Sequence, residues 1–396
     1  MKVLRILNRF NLGGPTHNAS FLTKYLEPEF NTKLVAGIKL ESEHGSEFIL
    51  SKLDIEPIYI REMHRELSII NDFKAFLEIK KIIREFKPDI VHTHAAKSGA
   101  LGRLAALTEN VPIIVHTFHG HVFHSYFGKI KSKIYIFVER FLAYYSSKII
   151  AISESQKEDL VHNYSICNEE KIEIIPLGFD LEVFQTDMDN KRKVFREQYH
   201  LDPDAIAIGI IGRLTKIKNH QLFLNSAKNV LSSSSKQLKF FIIGDGEEKQ
   251  KLEKIADNLG IKYNEKQQDS NQLFFTSWVK EIDHVLAGLD IIALTSLNEG
   301  TPVTLIEAKA SKKPIISTDV GGVKDIISHE KTGILTESDN IDDFSKKLKE
   351  LVDNKELQSK IAINGFTAIQ QRFSYKRLVK DMRSLYLDLL DNNEIN

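Results

Sequence analysis

The chain has 396 residues, 42% of them hydrophobic and 9% aromatic, enough apolar material for two ordinary cores. Its 54 Lys and Arg balance 54 Asp and Glu, so the basic excess of a nucleic-acid binder is missing and no nucleic-acid partner is expected. One cysteine, Cys167, excludes an internal disulfide and a thiolate metal cluster, and it fits a reducing compartment.

Lys2 to Leu7 reads as a strand rather than as a signal peptide. The longest apolar runs, such as Ile113 to Val115 and Phe240 to Ile243, fall far short of the roughly 18 residues of a spanning helix. The expectation is a cytoplasmic protein, peripheral at the inner face of the cell membrane.

Short β-branched runs alternate with segments of helical period throughout, which predicts the α/β class with parallel sheets. The first strands are expected at Lys2 to Leu7, Lys33 to Ile38, Ile58 to Ile60, Asp89 to Thr93, Pro112 to Thr117, Lys148 to Ile152 and Lys171 to Ile175. A second series follows at Ile206 to Ile211, Leu238 to Ile243, Leu273 to Ser277, Asp290 to Leu294, Pro314 to Ser317 and Gly333 to Leu335. Residues 181–204 are polar, carry the charge run Lys191 to Lys193 and give no strand signal. They are expected as a linker between a first domain, 1–180, and a second, 205–373. In the last helix, 374–396, Leu378, Met382, Leu385 and Leu389 share one stripe. That stripe fits a face of either domain and is expected to pack back on the first.

After the first strand, Asn11-Leu-Gly-Gly-Pro15 opens into a helix. Gly13 and Gly14 permit close backbone approach to a ligand, but the G-x-G-x-x-G spacing of a dinucleotide fold is absent, and a plain turn explains the segment equally well. Histidines cluster at His92, His94, His116, His119, His121 and His124, at or just after two strand ends. With no H-E-x-x-H, no cysteine partner and few carboxylates nearby, no metal site is expected there. The segment Phe123 to Lys148 interleaves aromatic residues with Lys129, Lys131, Lys133 and Arg140. Such a stretch can lie on an anionic bilayer, or it can be a core helix with a solvated basic face.

In the second half, Gly212-Arg213 with Lys218 follows a strand, as does Gly244-Asp-Gly246. Ligands of open α/β sheets bind beyond the C-terminal strand ends, where Arg213 and Lys218 suit anionic oxygens. Ser296 to Glu307 follows another strand, with Thr301 as a helix cap and Pro302 in the first helical position. That start leaves N–H groups near Val303 and Thr304 and a positive dipole end, a ready phosphate site. Glu299 and Glu307, separated by about 12 Å if the span were helical, can bracket a diphosphate and receive sugar hydroxyls. Both can equally be solvated glutamates.

Taken together and in this order, Gly13-Gly14, Thr117-Phe-His-Gly120, Gly212-Arg213 with Lys218, Gly244-Asp-Gly246 and the pair Glu299 and Glu307 resemble the motifs of the family 4 glycosyltransferases over essentially the whole chain. The run His92 to Arg103, followed by Val115 to His124, is further similar to a bacterial capsule and O-antigen subgroup. The resemblance implies the GT-B fold, two Rossmann-like domains facing across a cleft, and a retaining, metal-independent hexosyltransferase. It implies a nucleotide-sugar donor, UDP-linked, as co-substrate without a further cofactor, and an undecaprenyl-diphosphate-linked saccharide as acceptor. Contact with a membrane surface would then run through Phe123 to Lys148.

Carried over by position, Arg213 and Lys218 hold the donor diphosphate, Glu299 the sugar hydroxyls, Glu307 the ribose, and His119 lies beside the anomeric centre. Gly13, Gly14, Gly212, Gly244, Gly300, Thr301, Val303 and Thr304 complete the donor set, with the base near Trp278 and Val279. Lys97, Ser98 and His121 are the implied acceptor residues. His121 departs from the apolar residue expected after His-Gly, and Lys218-Asn219 replaces the commoner Lys-Gly. A nucleotide-sugar epimerase of the same fold and a catalytically silent nucleotide-sugar-binding subunit are the alternatives; the intact charged set favours the transferase.

Overall fold

The computed structural model describes residues 1–10, 14–38, 47–64, 66–120, 129–263 and 270–394. The chain divides into two compact units, Met1–Phe179 with Phe373–Asn396, and Asp180–Arg372.

The first unit holds a parallel sheet of β1 (Lys2–Arg9), β2 (Asn31–Gly37), β3 (Ile58–Ile60), β4 (Ile90–His94), β5 (Ile113–Thr117), β6 (Lys148–Ala151) and β7 (Ile172–Ile174). Its spatial order is β3-β2-β1-β4-β5-β6-β7, so the direction of growth reverses between β1 and β4. The helices are α1 (Gly14–Tyr25), α2 (Glu47–Lys52), α3 (Ile69–Phe86), α4 (Ala96–Thr108), α5 (Lys129–Tyr145) and the short α6 (Glu154–Glu158). Leu4 and Ile6 of β1 pack with Ile79, Ile83 and Ala105 of α3 and α4, whereas Val3 packs with Leu22 and Leu26 on the opposite face. Both faces are covered, so the strands read as continuous apolar runs rather than as alternating ones.

Two glycines let α4 lie close on the sheet. A Cβ at Gly102 would stand 2.7 Å from Thr93 Cγ2, and one at Gly99 would stand 2.5 Å from His116 Cε1.

The first α-helix of the second unit is α7 (Met188–Gln198). Its sheet comprises β8 (Ile206–Ile211), β9 (Leu238–Ile243), β10 (Leu273–Phe275), β11 (Ile291–Leu294), β12 (Ile315–Thr318) and β13 (Ile334–Thr336). The order is β10-β9-β8-β11-β12-β13, again with a reversal, here between β8 and β11. Helices α8 (His220–Ser233), α9 (Lys249–Leu259), α10 (Ile282–Gly288), α11 (Val303–Ala310), α12 (Ile341–Asp353) and α13 (Lys355–Phe373) surround it.

The segment expected as a linker is thus part of this unit. Phe195 of α7 is buried against Gly288, and Arg192 and Arg196 reach Asp290 at 2.8 and 3.3 Å and the carbonyl of Gly288 at the end of α10. The helix is anchored mainly by guanidinium groups, so its composition resembles that of a solvated connection.

The last helix, α14 (Tyr375–Glu394), packs on the first sheet. Leu378, Met382, Leu385 and Tyr386 are buried with Val3, Ile90, Ile113 and Ile150. Among the described residues no helix is long and apolar enough to cross a membrane.

Candidate active site

In the second unit the reversal of strand order puts the loops after β8 and β11 side by side, since β8 and β11 pair directly with Ile210 opposite Ala293. A crevice at such a point is where open α/β sheets take ligands. The loop after β8 is pinned by glycine. Gly212 N–H donates to Ile243 O at 2.9 Å, and Gly244, at φ 142°, lies so near that a Cβ on it would stand 2.0 Å from Gly212 O. Only glycine satisfies that approach.

A 3₁₀ turn, Lys216–Lys218, then ends at Asn219 with φ 47°. Asparagine is the side chain that best tolerates this left-handed conformation after glycine, which accounts for Asn219 in place of the expected glycine.

The turn aims Lys218 at the β11 loop. Lys218 Nζ lies 2.6 Å from Glu299 Oε1, and Ser296 Oγ donates to the same oxygen at 2.6 Å. The lysine side chain is 26% exposed and the glutamate 10%, so the pair sits at a partly dehydrated surface where charge-assisted bonds gain strength. Backbone bonds join the two loops: Leu297 N–H donates to Ile217 O at 2.8 Å, and Thr295 Oγ1 to Lys218 O at 3.0 Å.

A third loop supports Glu299 from below. Gly322 N–H donates to Glu299 O at 3.0 Å, and Gly321, at φ 47°, could not carry a Cβ, which would lie 2.1 Å from that oxygen. Gly321 and Gly322 were not expected at the site; the signal was a Gly-Gly pair just after the strand at Pro314 to Ser317.

Helix α11 starts one residue later than expected. Pro302 precedes the first turn at φ −70° and ψ 100°, and no side chain caps the helix. Val303 and Thr304 still supply first-turn N–H groups at the positive end of the dipole. Because the helix begins at Val303, the helical rise assumed between Glu299 and Glu307 covers only its last part. Glu307 is half-buried, and burial alone pushes its carboxyl up to about 8.

Arg213 is exposed and makes no ion pair among the described residues, which leaves its guanidinium open to an anion. Gly300 and Thr301 lie in the turn before α11, with open space around Gly300. Trp278 and Val279 are half-buried beyond β10, two strands away from β8 along the same sheet edge.

In the first unit, Gly14 opens α1 against Leu177, whose Cδ1 would be 2.8 Å from an added Cβ. Gly13, His121 and residues 123–128 of the basic aromatic stretch lie outside the described residues. Lys97 is occupied: it pairs with Asp72 and donates to Glu66 O at 2.6 Å. Ser98 is fully buried with its hydroxyl on His94 O, so it holds the β4–α4 turn rather than facing a ligand. Ala95 in that turn is strained, at φ 66°.

The histidines converge behind that turn. His119 Nε2 lies 2.8 Å from His94 Nδ1, His92 Nε2 lies 2.7 Å from Thr117 Oγ1, and His116 Nδ1 lies 2.8 Å from Thr93 Oγ1. Burial holds His92, His94 and His116 well below the usual histidine range, helped by nearby cations, and pushes His119 down to about 3. Burial thus favours the neutral form of all four. Next to His92 and His94 the cation is Arg5, wholly buried in β1, and Tyr386 of α14 reaches the same His92 nitrogen, Nδ1, as Arg5 does. Neither Arg5 nor Tyr386 was expected; an arginine set between Leu4 and Ile6 in the middle of β1 was the available signal. Among the described residues no group of three or more His, Cys, Asp and Glu side chains could hold a metal ion.

Known proteins share the family and the fold of this chain. Residues 191–367 match the family model for glycosyl transferases group 1, and residues 42–183 match that for Glycosyltransferase Family 4. The chain is 30% identical over 339 residues to the Escherichia coli UDP-Gal:alpha-D-GlcNAc-diphosphoundecaprenol alpha-1,3-galactosyltransferase, covering 85% of each protein. It is 26% identical over 379 residues to the Staphylococcus aureus capsular polysaccharide biosynthesis glycosyltransferase CapM, covering 92% of this chain and 93% of that one. Its fold matches Anabaena Alr3699/HepE, solved with UDP, at a TM-score of 0.80 and 18% identity, over 98% of this chain and 100% of that one. Two parallel Rossmann-like sheets, a Lys–Glu pair at the switch point of the second and the two family matches place this chain among the group 1, family 4 glycosyltransferases of the GT-B fold.

Proposed function

We propose that the chain transfers a hexose from a UDP-linked donor to a lipid-linked saccharide in surface-polysaccharide synthesis, with retention of the anomeric configuration. The carrying observation is the Lys218–Glu299 pair next to the start of α11, with Arg213 exposed on the same loop as Lys218 and in no ion pair among the described residues. The E. coli relative acts on a diphosphoundecaprenol-linked sugar and uses UDP-Gal, and HepE was crystallised with UDP; both support the choice of partners.

In this reading Arg213 and Lys218 bind the diphosphate and stabilise the charge that grows on the departing UDP, aided by the N–H groups of Val303 and Thr304. Glu299, held by Ser296 and Lys218, receives the sugar hydroxyls, Glu307 receives the ribose, and the base lies near Trp278 and Val279. His119 contacts the donor sugar. The bond from C1 to the phosphate oxygen breaks while the acceptor oxygen bonds C1 on the same face, and the acceptor's proton passes to the departing phosphate oxygen. No protein nucleophile is needed. The cationic side chains take the place of a metal, so transfer proceeds in the presence of a chelator.

The experiment is transfer from UDP-Gal, UDP-Glc or UDP-GlcNAc to undecaprenyl-diphosphate-GlcNAc in EDTA, with the wild-type chain and its Lys218→Ala and Glu299→Ala variants. Wild type turns over with retention, and each variant loses about 100-fold or more. Near-normal rates in either variant, an inverted product or an absolute need for a divalent cation would each contradict the corresponding part of the proposal. Interconversion of UDP-sugars without acceptor would identify an epimerase instead.

A further inference from the structure

The tautomers of the buried histidines follow from Arg5. A guanidinium carries donors only. Arg5 Nη1 lies 2.9 Å from His92 Nδ1 and 3.4 Å from His94 Nε2, so both ring nitrogens accept. The Tyr386 hydroxyl, 2.6 Å from His92 Nδ1, donates to the same nitrogen. A neutral imidazole has one N–H. His92 therefore carries it on Nε2, where Thr117 Oγ1 accepts at 2.7 Å, and His94 carries it on Nδ1, 2.8 Å from His119 Nε2. His119 Nε2 is thereby an acceptor, and its own proton sits on Nδ1.

His119 Nδ1 is buried and has no hydrogen-bond partner among the described residues. An unpaired buried N–H is costly and marks a donor held for an acceptor that arrives from outside. The relay is also stiff: the rings of His92 and His94 stack at 4.3 Å and 28°, and those of His94 and His119 at 5.1 Å and 29°. The geometry itself requires neutral rings, because an imidazolium has no nitrogen left to accept, and burial favours the same form.

We propose that Arg5 and His94 are positioning residues that lock His119 as its Nδ1–H tautomer, so that His119 serves an oxygen of the bound sugar as a hydrogen-bond donor and never as a proton acceptor. The second half rests on the placement of His119 beside the donor sugar in the proposed function. The first half concerns the free protein alone.

The test is a long-range proton–nitrogen correlation spectrum of the full chain labelled with ¹⁵N-histidine at pH 7.5, alone and with UDP-Gal. The expected result is a protonated Nδ1 on His119 and His94 and a protonated Nε2 on His92. An Nε2–H form or an imidazolium at His119 would overturn the proposal, and this spectrum needs no variant. His94→Leu removes the donor and His94→Asn restores an N–H where Nδ1 stood. In the leucine variant His119 drifts to the Nε2–H form and kcat falls about tenfold or more, with little change in KM for the acceptor; in the asparagine variant the Nδ1–H form and most of the rate return. A leucine variant that folds, shows the drift and keeps the full rate would overturn the role given to the tautomer. A wild-type chain without any transferase activity would instead count against the proposed function, and the spectra would still decide the lock.

Discussion

Glu307 lies on α11 with burial as the sole influence on its carboxyl, which rises from 4.5 to about 8. The folded chain therefore holds a proton there that the unfolded chain has released, so stability falls as pH rises from about 4.5 to about 8 and levels off above. Glu307→Gln keeps the neutral shape and removes that limb. Melting temperatures of both proteins between about pH 5 and 9 should converge toward the acid end and separate toward the alkaline end, the variant being the more stable there. Parallel curves would mean that Glu307 ionises normally. That Lys218 and Glu299 could meet was legible in the sequence because each stands in a loop after a strand of the second series, whereas Glu307 lies inside α11 and its burial was not legible. Arg5 and Tyr386 were not, because their meaning depends on His92, 87 and 294 positions away from them, which they meet only when β1 and β4 pair and α14 folds back.

At the scale of elements, helix α5 turns an apolar stripe outward. Ile134, Phe137, Val138 and Phe141 are exposed, as is Tyr144, and Lys133 is exposed beside them. The core side of the same helix is secured by Glu139, which pairs with the buried Arg103 at 2.6 Å. Exposed rings at helical spacing next to lysine suit the headgroup layer of an anionic membrane, where the lipid-linked acceptor of the proposed function would reside. Flotation with phosphatidylglycerol-rich vesicles should carry the wild-type chain, and a Phe137→Ser, Phe141→Ser variant should stay behind with its fold intact. Equal flotation of the two would remove α5 as the contact. The strands of both sheets were legible as β-branched runs because strands covered on both faces leave no polar alternation to confuse them. Helix α7 was not legible, since arginines bound to Asp290 and to carbonyls hold it where apolar residues usually would.

At the scale of the whole molecule, both units use the same device: a parallel sheet whose strand order reverses beside its first strand, which leaves the two loops flanking the reversal free to meet. In the first unit the histidine relay runs from β4 to the residues just after β5, and in the second Lys218 meets Glu299. With 54 positive and 54 negative side chains the molecule has no net field to draw in a polyanion, so recognition of a diphosphate has to come from local cations. Binding of a nucleotide is therefore the property on which the proposed function rests. Titration calorimetry of UDP into the full-length chain in EDTA, beside its Lys218→Ala and Arg213→Ala variants, measures it directly. One UDP per chain and a dissociation constant raised about tenfold or more in each variant is the predicted result; no heat of binding in the wild type, or equal affinity in all three, would contradict it.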